Sequence, residues 1–519
     1  MGLVKLPSGT WMPAWVPESS LVLSVLLVLC SAAQSLTTGY DGSMLNGVNI
    51  LPQYTNYFQL STGELALNTC SVYIGGALAP LCTGYFLDRL GRRMTLLWST
   101  CLMVVGVILQ TAATSVPMFL ASRIVLGFGN SIAGAAGAVY LSETFKATWR
   151  AWGVGLYNDN YYVGGLIAAG LTLGTANIQN TWAWRLPSLF QGVFSVICII
   201  IIPFIPESPR WLEHKGLHAE AQLVLARVNA NGDSDDPVVL LQHQEIVDQL
   251  AWEQDQGQRT SWRQMFTNRS SRKRLLIAVT PAIFSVIAGY PSGYYLGTQL
   301  ENVGVTSTTA QLQVNVVLNI FALACALFGT QLCARWGRKP VGILTQGLCT
   351  FFMLVLGILS KEYALSTYKP GVYGAIACIF LFTGSYSIGW TPLLFLYPPE
   401  ILNYSIRANG MAFCQFANNA IATVFLYAMP IGLDKLGWKI YLINVGWDVV
   451  LTAIVALYWV ETKGKTLEEV DAIFDGIRHS NMPELEDLTT GKVDGALVVQ
   501  QAAHRGQEVE SEKDAAAVA

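Results

Sequence analysis

Gly84 to Arg93 reads GYFLDRLGRR, with one acid and three arginines in ten residues between two long apolar runs. Charge this dense is too costly for the interior of a bilayer, so the stretch belongs at a membrane rim, in a turn between two spanning segments. The device recurs. Ala334 to Lys339 reads ARWGRK, again between apolar runs, and Ala334 lies 334 − 88 = 246 residues after Asp88. Glu143 in VYLSE with Arg150 seven residues on is echoed by Glu400 in LYPPE with Arg407 seven on. Glu207 in PESPR is echoed by Glu461 in VETKG. Three signatures repeated in the same order at an offset of about 250 residues predict a duplicated chain whose halves run in parallel.

The rest of the composition agrees. Of 519 residues, 52% are hydrophobic and 13% charged, about half the charge of an average soluble domain. The net charge of −3 hides a split. From Glu461 onward there are 6 basic and 13 acidic residues, so the tail carries −7 and the body +4. No basic patch suits nucleic acid. The ten cysteines lie in apolar segments, where free thiols act as small hydrophobes.

Windows of about 20 apolar residues predict spans near 21–47, 66–87, 94–113, 117–140, 151–174 and 187–205, then 274–297, 311–333, 341–360, 372–397, 408–432 and 437–460. The expected fold is an all-α polytopic membrane protein of twelve helices in two homologous six-helix halves. Its expected parts are an N-terminal segment (1–20), a first half (21–205), a helical linker (206–273), a second half (274–460) and a largely disordered tail (461–519). The first apolar run, from Leu21, is long enough to remain as a span, so no cleavable signal is expected. Loops 48–65, 114–116 and 298–310 lack Lys and Arg, whereas the alternate loops hold DRLGRR, RWGRK and TNRSSRKR. The positive-inside rule then puts both termini and the linker in the cytosol of a multi-pass protein, with the plasma membrane as the expected location. The expected partners are the bilayer, protons and a small solute, with no metal and no cofactor, and the chain is expected to act as a monomer.

Ionisable groups inside spans carry the functional reading, since each costs about 2.5–3.5 kcal/mol at a helix centre. Asp41 in GYDGS and Arg123 in ASRIV fall late in the first span and early in the fourth. They read either as a proton switch, with the carboxylate pairing with the guanidinium when ionised and releasing it when protonated, or as a static pair that fixes packing. All five histidines lie in the linker or tail, which excludes a histidine relay in the membrane. The rim residues Asp88, Arg89, Arg92, Arg93, Glu143, Arg150, Glu207, Arg210, Arg335, Arg338, Glu400, Arg407 and Glu461 read as a cytosolic gate. Glu143–Arg150 and Glu400–Arg407 are expected to cross-link helices within each half. The glycine run GFGNSIAGAAG has neither the GxGxxG spacing nor a preceding strand, so it predicts close helix packing rather than nucleotide binding. For a midplane solute site the polar and aromatic candidates are Asn158, Asp159, Ser285, Tyr290, Tyr294, Asn319, Trp390, Asn418 and Asn419. Each reads equally as an interhelical hydrogen-bonding group.

Over about residues 20–475, these marks together with WAWRLPSLFQ, PESPRWL and ETKGKTLEE resemble the sugar porter branch of the major facilitator superfamily. The runs RAWGVGLYN and IGWTPLLFLYPPEILNYSIRANG are most similar to its fungal lactose-permease-like sugar/proton symporters. The resemblance implies alternating access, Asp41 as the proton-coupling acid, and Asn158, Trp390 and Asn418 on the sugar. Where that family carries a Gln pair and an Asn in the seventh span, this chain has Phe284, Ser285 and Tyr290, and the eighth-span Asn falls on Ala322. The substitutions point to a larger or less hydroxylated ligand stacking on Tyr290 and Trp390. The expected function is proton-coupled uptake of a sugar or polyol-like solute, not an enzymatic one. The alternatives are export of a small metabolite by proton antiport, or a sugar sensor that moves nothing.

Overall fold

The computed structural model describes residues 3–5, 11–13, 16–59, 62–145, 150–255, 262–288, 296–297, 300, 307–363, 369–465 and 467–475. Apart from a two-stranded hairpin pairing Leu3–Lys5 with Trp11–Pro13, the regular structure described is helical. Twelve spans account for most of it. The first half holds α1 (Ser20–Ile50), a second span broken into α3 (Thr62–Leu78) and α4 (Pro80–Leu90), then α5 (Arg92–Thr111), α6 (Val116–Thr144), α7 (Arg150–Thr175) and α8 (Trp182–Ile201). A short α2 (Pro52–Phe58) lies between the first two spans. The second half holds α13 (Arg269–Ile287), α14 (Thr308–Trp336), α15 (Arg338–Tyr363), α16 (Lys369–Ile401), α17 (Tyr404–Leu436) and α18 (Lys439–Tyr458). Among the described residues nine helices are long and apolar enough to cross a bilayer, ten if α3 and α4 count as one span. The apolar side chains that remain exposed, such as Leu81, Trp98, Ile200, Leu276 and Leu457, form the surface that meets lipid tails.

Local chemistry sets the breaks. Pro80 has no N–H to bond back into α3, and the second span bends there by 47°. Gly91 and Gly337 terminate α4 and α14 at φ of 89° and 103°, a conformation glycine adopts without a Cβ clash. The run in α6 packs tightly: a Cβ on Gly127 would stand 1.8 Å from the Val72 carbonyl oxygen of α3, so only glycine permits this approach.

Four helices and a terminal helix cover the basic rim: α9 (Pro209–His214), α10 (His218–Asn229), α11 (Pro237–Asp255), α12 (Trp262–Thr267) and α19 (Leu467–Asp475). Polar bonds hold them there. Arg227 Nη1 donates to the Val16 carbonyl at 2.7 Å, and Asp471 accepts from Arg274 and, at 3.3 Å, from Gln249. The buried Glu213 of α9 sits between His218 of α10 and His243 of α11, the latter 3.2 Å away. Burial pushes the Glu213 carboxyl up, but the bonds from His243 and His218 outweigh it and hold the group below its ordinary value.

Candidate functional site

Between the halves lies a cavity of about 120 Å³, roomy enough for several waters or a small polar solute. Its first-half wall comes from α1, α3, α6 and α7, with Thr38, Asp41, Arg123, Asn130 and Asn158 among the lining side chains. The second half contributes Ser285 of α13, Thr391 of α16, and Gln415, Asn418 and Asn419 of α17. The amides are anchored to the frame. Asn158 Nδ2 donates to the Thr391 carbonyl at 2.6 Å, Asn418 Nδ2 to the Ala282 carbonyl at 3.0 Å, and Asn419 Nδ2 to the Gln415 carbonyl at 2.7 Å.

Asp41 and Arg123 meet at the wall of this cavity in a two-point pair of 3.1 and 3.2 Å. Two helical facts bring them together. Asp41 lies 21 residues from the rim end of α1, about 31 Å at helical rise, while Arg123 lies seven residues, about 10 Å, from the opposite end of α6. Both therefore fall in the half of the bundle away from the basic rim. Arg123 Nε also donates to the Asn68 carbonyl at 3.1 Å, and Gln191 Nε2 donates to Asp41 Oδ1 at 3.1 Å. Sequence reasoning missed Gln191. Its signal was an amide side chain in the middle of a membrane span, which must find a partner once buried.

Three solute candidates stand elsewhere. Trp390 is fully buried and does not line the cavity. Its indole N–H donates to Gln346 Oε1 at 2.9 Å, and its ring packs edge-on against Phe284 and Trp459. Gln346 in turn donates to Asp448 at 3.1 Å, which also accepts from Asn444 at 2.9 Å, so Trp390 closes a buried polar chain. Asn319 packs beside Gly165 at the α7–α14 seam and donates to the Asn315 carbonyl at 2.8 Å. Asp159 faces α14, where Thr330 Oγ1 donates to its Oδ2 at 2.5 Å. Adjacent positions on a helix point about 100° apart, so the polar run from Asn158 to Asn160 does not say which member reaches the cavity. Tyr290 and Tyr294 lie outside the described residues.

The rim carries two matching networks. Arg92 binds Glu143 through Nε at 2.9 Å and Nη2 at 3.1 Å; Arg338 binds Glu400 through Nε at 3.0 Å and through Nη2 at 2.6 Å. Ser208 and Thr462 add a 2.6 Å hydroxyl bond to each acid. Glu207 accepts from the backbone N–H groups of Arg92 and Arg93, and Glu461 from those of Arg338 and Lys339, which places a carboxylate on the N-terminus of α5 and of α15. Burial raises the Glu207 pKa, held in check by those N–H bonds and by Arg92. Arg210 Nη1 reaches the Glu143 carbonyl at 3.2 Å, Trp211 the Asp88 carbonyl at 3.0 Å, and Lys463 the Arg335 carbonyl at 2.6 Å. Arg89 is exposed and bonds to Tyr85 on its own helix. The side chain of Arg150 is outside the described residues.

One expected pairing is corrected. Arg407 does not bond Glu400 within its half; Nη1 crosses to Glu143 Oε1 of the other half at 3.1 Å, with both side chains buried. Both acids already hold an arginine fork and a hydroxyl bond, and Glu143 accepts this further bond from across the seam. The result is a closed contact between halves at the rim.

The arrangement has counterparts among known proteins. The profile of the sugar (and other) transporter family matches residues 27–474. MFS-type transporter oryC of Aspergillus oryzae is 27% identical over 482 residues, covering 90% of this chain and 86% of its own length. MFS glucose transporter mfs1 of Aspergillus flavus is 28% identical, covering 86% of this chain and 90% of its own length. Among solved structures, the proton:xylose symporter XylE bound to 6-bromo-6-deoxy-D-glucose superposes with a TM-score of 0.76 over 88% of this chain and 100% of that one, at 21% identity. The fold is that of the major facilitator superfamily.

Proposed function

The chain belongs to the sugar transporter family, a multi-pass membrane protein rather than an enzyme, and from that premise we propose that it couples uptake of a polyhydroxylated solute to proton entry by alternating access. The observation that carries this reading is the buried Asp41–Arg123 pair on the cavity wall. When a proton neutralises Asp41, its two bonds from Arg123 lose their charge, and the arginine is released to the Asn68 carbonyl side. The acid is thereby a sensor whose state is felt on α1, α3, α6 and α8 together.

The orientation that fits has both termini in the cytosol, so the basic rim is the cytosolic gate and Asp41 is reached from outside. One charge carried through about 100 mV supplies about 2.3 kcal/mol, enough for several tens-fold accumulation. The cavity's amides spend an N–H on helix carbonyls, which leaves the side-chain oxygens of Asn158, Asn418 and Asn419 to accept from solute hydroxyls. The relatives named as glucose and xylose transporters support a sugar. With Trp390 packed against Phe284 and off the lining, aromatic contact falls to Tyr73, Tyr157, Tyr161, Tyr162, Tyr386 and Phe395.

The test is transport by proteoliposomes across a panel of sugars and polyols, with and without a pH gradient. Asp41→Asn is expected to abolish gradient-driven accumulation while sparing counterflow exchange. Uphill accumulation undiminished in that variant removes Asp41 from the mechanism.

A further inference from the structure

Asp159 of α7 is 1% exposed, and nothing in the proposed transport cycle uses it. Thr330 Oγ1 of α14 donates to its Oδ2, while its Oδ1 has no hydrogen-bond partner. Among the described residues no cation answers it. The charged residues on the helices packed against α7 are engaged or distant: Arg123 and Asp41 with each other, Glu143 with Arg92 and Arg407, Glu400 with Arg338, Arg185 on the Ala113 carbonyl. Arg335 is exposed at the rim, and Lys369 begins α16 at the far end. The titratable neighbours left are the Tyr162 hydroxyl, bonded to Ser387 Oγ at 2.8 Å, and the Cys333 thiol, three residues from Thr330.

A carboxylate in that setting is far costlier than a carboxylic acid, because charge without a counter-ion is not tolerated in a dry interior. A proton removes the charge. The seam that dries the site is also the seam that opens, since α7 belongs to one half and α14 to the other. Asp159 lies nine residues, about 13 Å, from the rim end of α7, on the opposite side of the cavity from Asp41. Its neighbour Asn158 lines the cavity and is bonded across to α16, so solute and proton sites are consecutive residues of one helix.

We propose that Asp159 is a second proton-binding site, on the cytosolic side of the cavity: protonated while the α7–α14 seam is shut, and losing its proton to water once the halves part there. The proposal rests on the proton-coupled reading above and adds to it a site that titrates against the cytosolic side. The proton leaves Oδ1 as hydronium, the carboxylate is hydrated in the opened seam, and re-closure requires a proton to return.

Two measurements test it. Infrared difference spectra of the reconstituted wild-type protein at neutral pH are expected to contain a protonated-carboxyl band that is lost in Asp159→Asn; a band unchanged by the substitution overturns the proposal. In proteoliposomes with external pH fixed, acidifying the cytosolic-side compartment by two pH units slows both proteins through the smaller gradient, and is expected to slow wild-type net uptake about tenfold or more beyond Asp159→Asn, with solute counterflow retained in both. Wild-type-like sensitivity to the cytosolic-side pH in Asp159→Asn overturns the second site while gradient-driven accumulation, lost only in Asp41→Asn, keeps the coupling reading intact. Absence of gradient-driven accumulation in the wild type overturns both readings.

Discussion

Replacing Arg407 with Gln should loosen the rim between the halves without dismantling either one. The side chain crosses from α17 to Glu143 of α6 at 3.1 Å, with both partners buried. Removing a charge-assisted bond of this type costs about 1.5–3 kcal/mol. The larger penalty of about 3–5 kcal/mol for stranding a buried charge does not apply, because Glu143 keeps two bonds from Arg92 and one from Ser208. At about 1.4 kcal/mol per tenfold, the ratio of open to closed rim should rise about 10- to 150-fold. Hydrogen–deuterium exchange in lipid nanodiscs reads this directly. Peptides covering the ends of α4, α6 and α16 and the start of α17 should exchange faster by that factor, with the outer ends of α1 and α6 unchanged. Adding Glu143→Gln to the variant should then open the rim no further than Glu143→Gln alone, since the two share one contact. Unaltered exchange in the single variant, or fully additive effects in the pair, would refute the idea that this bond holds the rim closed.

Other outcomes follow from other parts of the structure. Trp390→Phe should lower thermal stability by about 1–3 kcal/mol, because Gln346 Oε1 loses its donor in a buried network, yet leave solute affinity within twofold in a binding titration. Gly127→Ala places a methyl where the Val72 carbonyl stands, 1.8 Å away; it should sharply reduce folded yield by size-exclusion chromatography, and normal yield would contradict the α3–α6 packing. Glu213 gives a pH effect of definite sign. Its folded pKa lies below the unfolded value near 4.5, so its contribution is present above that pH and is lost as pH falls through the folded value. Glu213→Gln should lower the unfolding temperature at pH 7 and flatten the decline below pH 4.5 seen by differential scanning fluorimetry.

The twelve spans were legible because lipid demands long apolar helices and tolerates no alternative that leaves backbone groups unbonded. The duplication was legible for a related reason: rim motifs are charged, hence visible against an apolar background. Predicted helix ends still fell short. The sixteenth helix runs on through LYPPE to Ile401 despite Pro398 and Pro399, whose lost N–H bonds fall at the polar rim. Side-chain direction was not legible. Asn158 and Asp159 are neighbours, but one lines the cavity and the other is sealed at a seam. Trp390 reads as a stacking platform in the sequence, whereas here its indole N–H goes to Gln346, which in turn donates to Asp448, each from another helix. Those two polar residues in apolar spans were the available clue, since each needed a partner, but which residue would supply it depends on three-dimensional packing.

The capping of α5 by Glu207 and of α15 by Glu461 has a consequence for how the molecule could be taken apart. In each case a carboxylate from just beyond the last span of a half returns to the start of that half's third span, next to the glycine that gives it room. Each six-helix unit thereby fastens the start of its own third span to its own far end, with no loan from the other copy. Two polypeptides, divided between α11 and α12 and produced in the same cell, hold all the bonds that shut these two loops, and should find each other as finished pieces rather than as threads that must fold together.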